Sequence, residues 1–110
     1  MPHIIVEYSP DLEERSDLPA LLQTLHEALA AQGIDAARIK TRGIALTHAY
    51  VGTQGFAGSM AHITLLLLAG RDTATKKQYG DVLHGLAKAA IQDAAVTLEI
   101  RDMDKETYYM

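Results

Sequence analysis

Pro2 directly follows Met1, and an initiator methionine is readily removed before a small residue such as proline. Removal of Met1 exposes a secondary amine, which can take up a proton and return it when it is neutral at the working pH. Burial and nearby cations disfavour the charged form of an amine and lower its pKa. Because a proline at position 2 is common by chance, Pro2 becomes a strong candidate base only with support from other residues.

The five histidines raise the question of a metal site. His3 and His62 begin two predicted strands, and His26 and His84 lie on two predicted helices, so common structure explains their placement better than a ligand set. No pair has the HxH or HxxxH spacing of neighbouring ligands. The chain has no cysteine, which excludes disulfides and thiolate metal sites. We therefore expect no metal.

The elements that must position Pro2 follow from hydrophobic periodicity. Strands are predicted from β-branched and apolar runs, and helices from apolar residues at intervals of three and four. A turn-rich segment in the middle predicts a loop or a hairpin. The predicted elements are strands at 3–8, 37–44, 60–68 and 96–101, helices at about 17–32 and 74–92, and the loop or hairpin at 45–59.

The two halves of the chain match at a nearly constant offset, which predicts a duplicated unit. Three segments recur 58 or 59 positions later: His3-Ile4 as His62-Ile63, Leu25-His26 as Leu83-His84, and Ile39–Arg42 as Leu98–Arg101. The offset places Ala61 opposite Pro2, so only the first unit begins with proline. We predict one domain over 1–110, with pseudo-repeats of about 1–59 and 60–110 and one active site per chain.

The predicted fold is therefore α/β. Two β-α-β units share a four-stranded sheet, two helices cover one face, and the other face lies against neighbouring subunits. The net charge of −4 and the absence of a basic run argue against nucleic-acid binding. No apolar run approaches the roughly 20 residues needed to span a bilayer. The N-terminus lacks the pattern of a secretory signal, so we expect a cytoplasmic protein.

Four segments together resemble the 5-carboxymethyl-2-hydroxymuconate isomerase family of the tautomerase superfamily, whose members share a catalytic amino-terminal proline. The likeness covers nearly the whole chain and is weakest over 43–60. It implies proton transfer within an unsaturated hydroxy or oxo polycarboxylic acid from aromatic-acid catabolism, without metal or cofactor, in a homotrimer. The segments are MPHIIVEYS at the start, Gln32-Gly33-Ile34 at the end of the first helix, HITLLLLAGRD, and the second helix.

The resemblance also implies roles for four residues. Pro2 matches the catalytic proline, and Arg71 matches a substrate-binding arginine. Lys40 and Arg42 lie over two basic positions of the family, the first of which is usually arginine. Lysine keeps the charge but loses the bidentate fork of a guanidinium group. From the residues alone, Arg71 could equally be a solvated turn residue, and Lys40 and Arg42 a solvated strand face or a subunit contact.

Other interpretations stay open at this point. The same scaffold could hydrate or dehalogenate an unsaturated acid, or be a non-catalytic module that binds a small acid or a protein. Phe56 in the central loop could cap a pocket or contact a neighbouring subunit. Tyr108 and Tyr109 in the polar tail are expected to pack on a neighbour or to be disordered.

Overall fold

Each half of the chain forms a strand, a long helix and a second strand parallel to the first. The structure, a computed structural model, describes all residues, 1–110. The elements in chain order are β1 (His3–Tyr8), α1 (Leu12–Arg15), α2 (Leu18–Ala31), a 3₁₀ turn (Ala36–Arg38), β2 (Lys40–Ala45), β3 (Met60–Leu68), α3 (Thr73–Ala90) and β4 (Ala95–Met103).

The four strands form one sheet in the order β2-β1-β3-β4. β1 runs parallel to β2 and β3 parallel to β4, while β1 and β3 pair antiparallel at the centre. The start of β1 therefore lies beside the end of β3, where His3 pairs with Leu66. This pairing places the Pro2 end of the chain next to the turn that contains Arg71.

One face of the sheet carries the core. Side chains alternate along each central strand, so Ile4 and Val6 of β1 and Ile63 and Leu65 of β3 are fully buried. The long helices pack on this face and on each other, and their leucines complete a core of 17 buried residues. The α/β fold predicted from the sequence, with two long helices on a four-stranded sheet, is confirmed.

Several boundaries differ from the prediction. The second strand begins at Lys40 and not at 37, because Asp35 caps a 3₁₀ turn by accepting a hydrogen bond from the Ala37 N–H at 3.0 Å. β4 extends over Ala95–Met103, and α1 was not predicted. His3 pairs with Lys40 while His62 pairs with Thr97, so the second strands correspond at an offset of 57 and not 59.

The loop between β2 and β3 is a compact turn with exposed aromatic residues. A single bridge joins Val51 to Gly55, and the rings of Tyr50 and Phe56 meet edge to face at 5.0 Å. Both rings are about three-quarters exposed, at 73% and 74%.

None of the helices has the length and apolar character needed to cross a membrane.

Candidate active site

A cleft of about 400 Å³ opens where the chain begins. Three parts of the fold build it: the start of β1, the connection from α2 to β2, and the end of β3 with the turn that follows. Its walls carry two guanidinium groups and one carboxylate among apolar residues. The lining residues are Met1, Pro2, Gly33, Ile34, Asp35, Arg38, Leu68 and Arg71.

Pro2 lies at the inner wall of this cleft. The residue is buried, and its carbonyl oxygen accepts a hydrogen bond from the Lys40 N–H at 2.9 Å, which fixes it to the start of β2. In the full chain its nitrogen is an amide bonded to Met1. The pKa of the Met1 amine is lowered by burial and then by Arg38, Lys40 and Arg71. The start of the chain therefore lies in a positive electrostatic field.

Arg71 is oriented by the turn between β3 and α3. Gly70 has a φ of 132°, a conformation that favours glycine, and this lets the chain turn sharply after β3. Asp72 caps α3 by accepting a hydrogen bond from the Thr75 N–H at 2.8 Å, and this bond lowers the pKa of its carboxyl group. The Arg71 guanidinium lies 5.9 Å from the centroid of the Tyr79 ring. This cation–π contact with a buried ring holds Arg71 at the cleft, where its donors can bind an anion.

Arg38 is a second guanidinium in the cleft that the sequence did not single out. It ends the 3₁₀ turn, and its Nε lies 3.8 Å from Asp35 Oδ2 in an exposed ion pair. The sequence interpretation placed residue 38 inside a strand, so it was not separated from the basic residues that follow. The pattern Asp35-Ala-Ala, a capping residue before small residues, was the available signal for a turn.

Lys40 and Arg42 are not lining residues of the cleft within one chain. Both lie on β2, on the sheet face opposite the helices, since Ile39 and Thr41 point to the core side. Lys40 is close enough to contribute to the low pKa of the Met1 amine. Arg42 Nη1 donates to His3 Nδ1 at 3.0 Å. Their roles in binding substrate remain predictions.

A wider groove of about 490 Å³ lies between α3 and β4, and two of its polar side chains are already paired within the chain. His84 Nε2 lies 2.9 Å from the Val96 carbonyl oxygen, and Lys76 Nζ lies 3.4 Å from Asp102 Oδ1. The groove contains neither Pro2 nor Arg71, the residues that the sequence analysis identified as candidate base and substrate-binding arginine. The smaller cleft at Pro2 is the better candidate active site.

Comparison with known proteins supports a catalytic assignment. A model of the 5-carboxymethyl-2-hydroxymuconate isomerase family matches residues 2–109. The 5-carboxymethyl-2-hydroxymuconate Delta-isomerase of Escherichia coli is 33% identical, over 94% of this chain and 87% of its own length. The chain belongs to the 5-carboxymethyl-2-hydroxymuconate isomerase family. It is therefore an isomerase, and the alternative of a non-catalytic binding module is wrong.

Solved structures agree with this fold. A 5-carboxymethyl-2-hydroxymuconate isomerase from Deinococcus radiodurans R1 is 25% identical with a TM-score of 0.85, covering 99% of this chain and 87% of that one. A fused 4-OT that forms a symmetric trimer is 18% identical with a TM-score of 0.81, covering 98% and 90%. The second likeness concerns the fold alone. Together they place the isomerase in the tautomerase fold.

Proposed function

We propose that this isomerase moves a proton within an unsaturated hydroxy or oxo polycarboxylic acid, with the Pro2 amine as acid and base once Met1 is removed. The observation that carries the proposal is the cleft itself, which brings Pro2 and Arg71 together. These residues are 69 positions apart in the chain and meet through the β1–β3 pairing. The name of the E. coli relative specifies 5-carboxymethyl-2-hydroxymuconate, and we propose a substrate of that class.

The proton transfer needs a single group that works in both directions. The neutral Pro2 nitrogen removes the proton from the enol hydroxyl, the oxygen becomes a carbonyl, and the double-bond electrons shift along the conjugated chain. The resulting Pro2 ammonium then delivers the same proton to a carbon of the conjugated chain, which completes a 1,3- or 1,5-proton transfer. The substrate and product are isomers, and Pro2 returns to its neutral form. Burial and the neighbouring cations that act on the Met1 amine should also lower the pKa of the Pro2 amine, which keeps it neutral.

The cations around the cleft bind the substrate carboxylates and stabilise the negative charge that develops during proton transfer. Arg71 binds a substrate carboxylate through its fork of donors, and the contact with the Tyr79 ring keeps its guanidinium group at the cleft. Lys40 adds positive potential that favours the dienolate in the transition state. Arg42 was predicted as a further carboxylate contact, and Arg38 is an additional candidate from the cleft lining. No step needs a metal or a cofactor.

We further propose that the enzyme works as a homotrimer. The sheet face away from the helices is left uncovered by its own chain and carries apolar side chains, among them Ile5, Leu66 and Ile44, the last 45% exposed. The symmetric trimer formed by the fused 4-OT is an example of this fold in that assembly. Analytical ultracentrifugation should give a mass near three times 12.0 kDa. A monomer at micromolar concentration would contradict the trimer.

A cytoplasmic location and a place in aromatic-acid breakdown complete the proposal. Removal of an initiator methionine takes place during synthesis in the cytoplasm, and the proposed base depends on that step. Mass spectrometry of the protein from its host should therefore find a chain lighter by one methionine, in the cytoplasmic fraction. Retained Met1 in the native host would contradict the role of Pro2.

The experiment that tests the chemistry is tautomerisation of phenylenolpyruvate by protein whose N-terminus has been sequenced. We expect Pro2→Ala to lower kcat/KM by about 10²-fold or more, the usual contribution of a positioned acid or base. Pro10→Ala is the matched control, because Pro10 is exposed and lies at the other end of β1. Equal rates for wild type and Pro2→Ala, both free of Met1, would refute the proposal.

A further inference from the structure

His3, the residue after the proposed base, makes two side-chain contacts on opposite sides of its ring. Arg42 Nη1 lies 3.0 Å from Nδ1, and the Tyr108 hydroxyl lies 2.7 Å from Nε2. The rings of His3 and Tyr108 also meet edge to face, with centroids 5.8 Å apart. Three separate parts of the chain, namely β1, β2 and the C-terminal tail, therefore meet at this one side chain.

The contact with Arg42 fixes the protonation of the ring. A guanidinium group has only donors, so His3 Nδ1 must accept with its lone pair. In the neutral ring the proton then lies on Nε2, which donates to the Tyr108 oxygen. The Tyr108 hydroxyl keeps its own proton for another acceptor. Hydrogen bonds thus run in one direction, from Arg42 through His3 to Tyr108.

The tail that carries Tyr108 passes both candidate site residues. It leaves β4 after the Met103 carbonyl accepts from the Ala69 N–H at 3.0 Å. Lys105 Nζ then lies 3.4 Å from the position that a β-carbon on Gly70 would occupy, directly before Arg71. Three residues after Lys105, at Tyr108, the tail reaches His3, which directly follows Pro2. The tail therefore contacts Gly70, the residue before Arg71, and His3, the residue after Pro2.

We propose that Arg42, His3 and Tyr108 are positioning residues that fasten the C-terminal tail beside Pro2, and that Arg42 serves this purpose instead of binding a substrate carboxylate. The proposal deepens the function proposed above and rests on it for the role of Pro2. Arg42 already donates a hydrogen bond to His3, and it does not line the cleft. The family resemblance implied that Arg42 binds substrate, and steady-state kinetics can separate that role from positioning.

The charges around His3 explain why the arrangement holds at neutral pH. Burial, then Arg42 and Lys40 of β2, and then the terminal amine lower the pKa of His3. On β3, His3 pairs with the apolar Leu66, and the tail offers the uncharged Tyr108. The ring is therefore neutral at pH 7. Only in acid does Nδ1 gain a proton, and Arg42 then loses its acceptor.

Steady-state kinetics on phenylenolpyruvate distinguish positioning from substrate binding. We expect Arg42→Ala and Tyr108→Phe each to lower kcat by about tenfold with KM changed less than twofold, since small misplacements of reacting groups cost rate. His3→Gln should retain most of the kcat that His3→Ala loses, because an amide can accept from Arg42 and donate to Tyr108. In wild type, kcat should fall in acid as His3 is protonated and Arg42 loses its acceptor. In His3→Gln this contribution to the pH profile should be absent, because glutamine does not titrate. An unchanged kcat with a KM raised tenfold in Arg42→Ala would overturn the proposal.

Two measurements decide the proposal without activity. Nitrogen-15 NMR of the wild-type histidines should show His3 as the Nε2–H tautomer at pH 7, and an Nδ1–H tautomer would overturn the arrangement. Amide hydrogen exchange over 104–110 should become at least several-fold faster in Arg42→Ala and Tyr108→Phe. His62→Asn is the matched control, because His62 holds the equivalent strand position in the second unit and bonds only Thr97. Equal exchange in all proteins would refute the fastening of the tail. An inactive wild type would refute the proposed function alone.

Discussion

Asp11 offers a stability prediction that can be worked out from its contacts. Its carboxylate lies at the far end of β1 from Pro2 and accepts hydrogen bonds from the hydroxyl groups of Ser59 and Ser9 and from Arg15 Nε at 3.1 Å. These contacts, of which the Ser59 hydrogen bond is the strongest, outweigh the opposing effect of burial and lower the pKa of Asp11 from 3.8 to about 2. The perturbation is Asp11→Asn, which keeps one acceptor oxygen but is neutral at every pH.

The sign of the effect follows from the direction of this shift. A carboxyl group whose pKa is depressed in the folded state stabilises that state above its unfolded pKa, and loses this contribution as the pH falls through the folded pKa. A drop from 3.8 to about 2 corresponds to about 2 to 3 kcal/mol if carried in full. The Asp11 side chain is 43% exposed, so solvent screening reduces the free energy to about 1 kcal/mol.

The assay is urea or thermal unfolding at fixed protein concentration, because assembly makes the midpoint depend on concentration. At pH 7 we expect Asp11→Asn to lower the free energy of unfolding by about 1 kcal/mol, or the Tm by roughly 4 °C. The difference should shrink below about pH 4 and be mostly lost by about pH 2, near the folded pKa. Asp81→Asn, an exposed position on α3, is the control and should change little. A difference that stays constant from pH 7 to pH 2 would refute the electrostatic reasoning.

Three further predictions concern the cleft and its scaffold. Arg71→Ala should raise KM for carboxylate substrates by about tenfold or more through loss of a charge-assisted pair, Arg71→Lys less so, and an unchanged KM for both would exclude anchoring there. Leu83→Ala should cost 2 to about 5 kcal/mol of unfolding free energy, because Leu83 is fully buried, and a loss below about 1 kcal/mol would contradict that packing. Asp17→Ala should cost about 1 kcal/mol, since the Asp17 side chain accepts from the Ala20 N–H at the start of α2; circular dichroism on heating measures it, and an unchanged Tm would argue against the cap.

The elements could be predicted because their local signals agree. In α2 the capping residue Asp17, Pro19 in the first turn and leucines at helical spacing all predict the same helix, and the structure has it at Leu18–Ala31. β3 is a mostly apolar strand of nine residues, and its alternate side chains are buried on one face of the sheet. Asp72, in the turn before α3, caps that helix from a position adjacent in sequence. These features depend on contacts between residues close in the chain, which a single sequence carries.

The site could be predicted only in part, because its geometry depends on strand pairing. Sequence patterns predict two parallel units but no order of strands, and only the central antiparallel pairing brings Arg71 to Pro2. The partner of Arg42 is His3, 39 residues away, and the register of β1 on β2 decides that contact. Arg38 enters the cleft because a 3₁₀ turn delays the strand. Strand order and register are not encoded in a local sequence pattern, so the sequence could not show which of Arg38, Lys40 and Arg42 lines the cleft.

The predicted repeat explains why one chain would carry one site. Under that repeat the counterpart of Pro2 is Ala61, and its surroundings are the end of β1 and the connection from α3 to β4. There Ser9 Oγ accepts from the Met60 N–H at 3.0 Å, while Arg15 donates to the carbonyl oxygens of Gln92 and Asp93. The second location thus has a peptide nitrogen and paired charges where the first has a cleft with cations. The Asp11 network stabilises the end of the molecule that has no amino-terminal base, which is why Asp11→Asn should reduce stability and leave kcat unchanged.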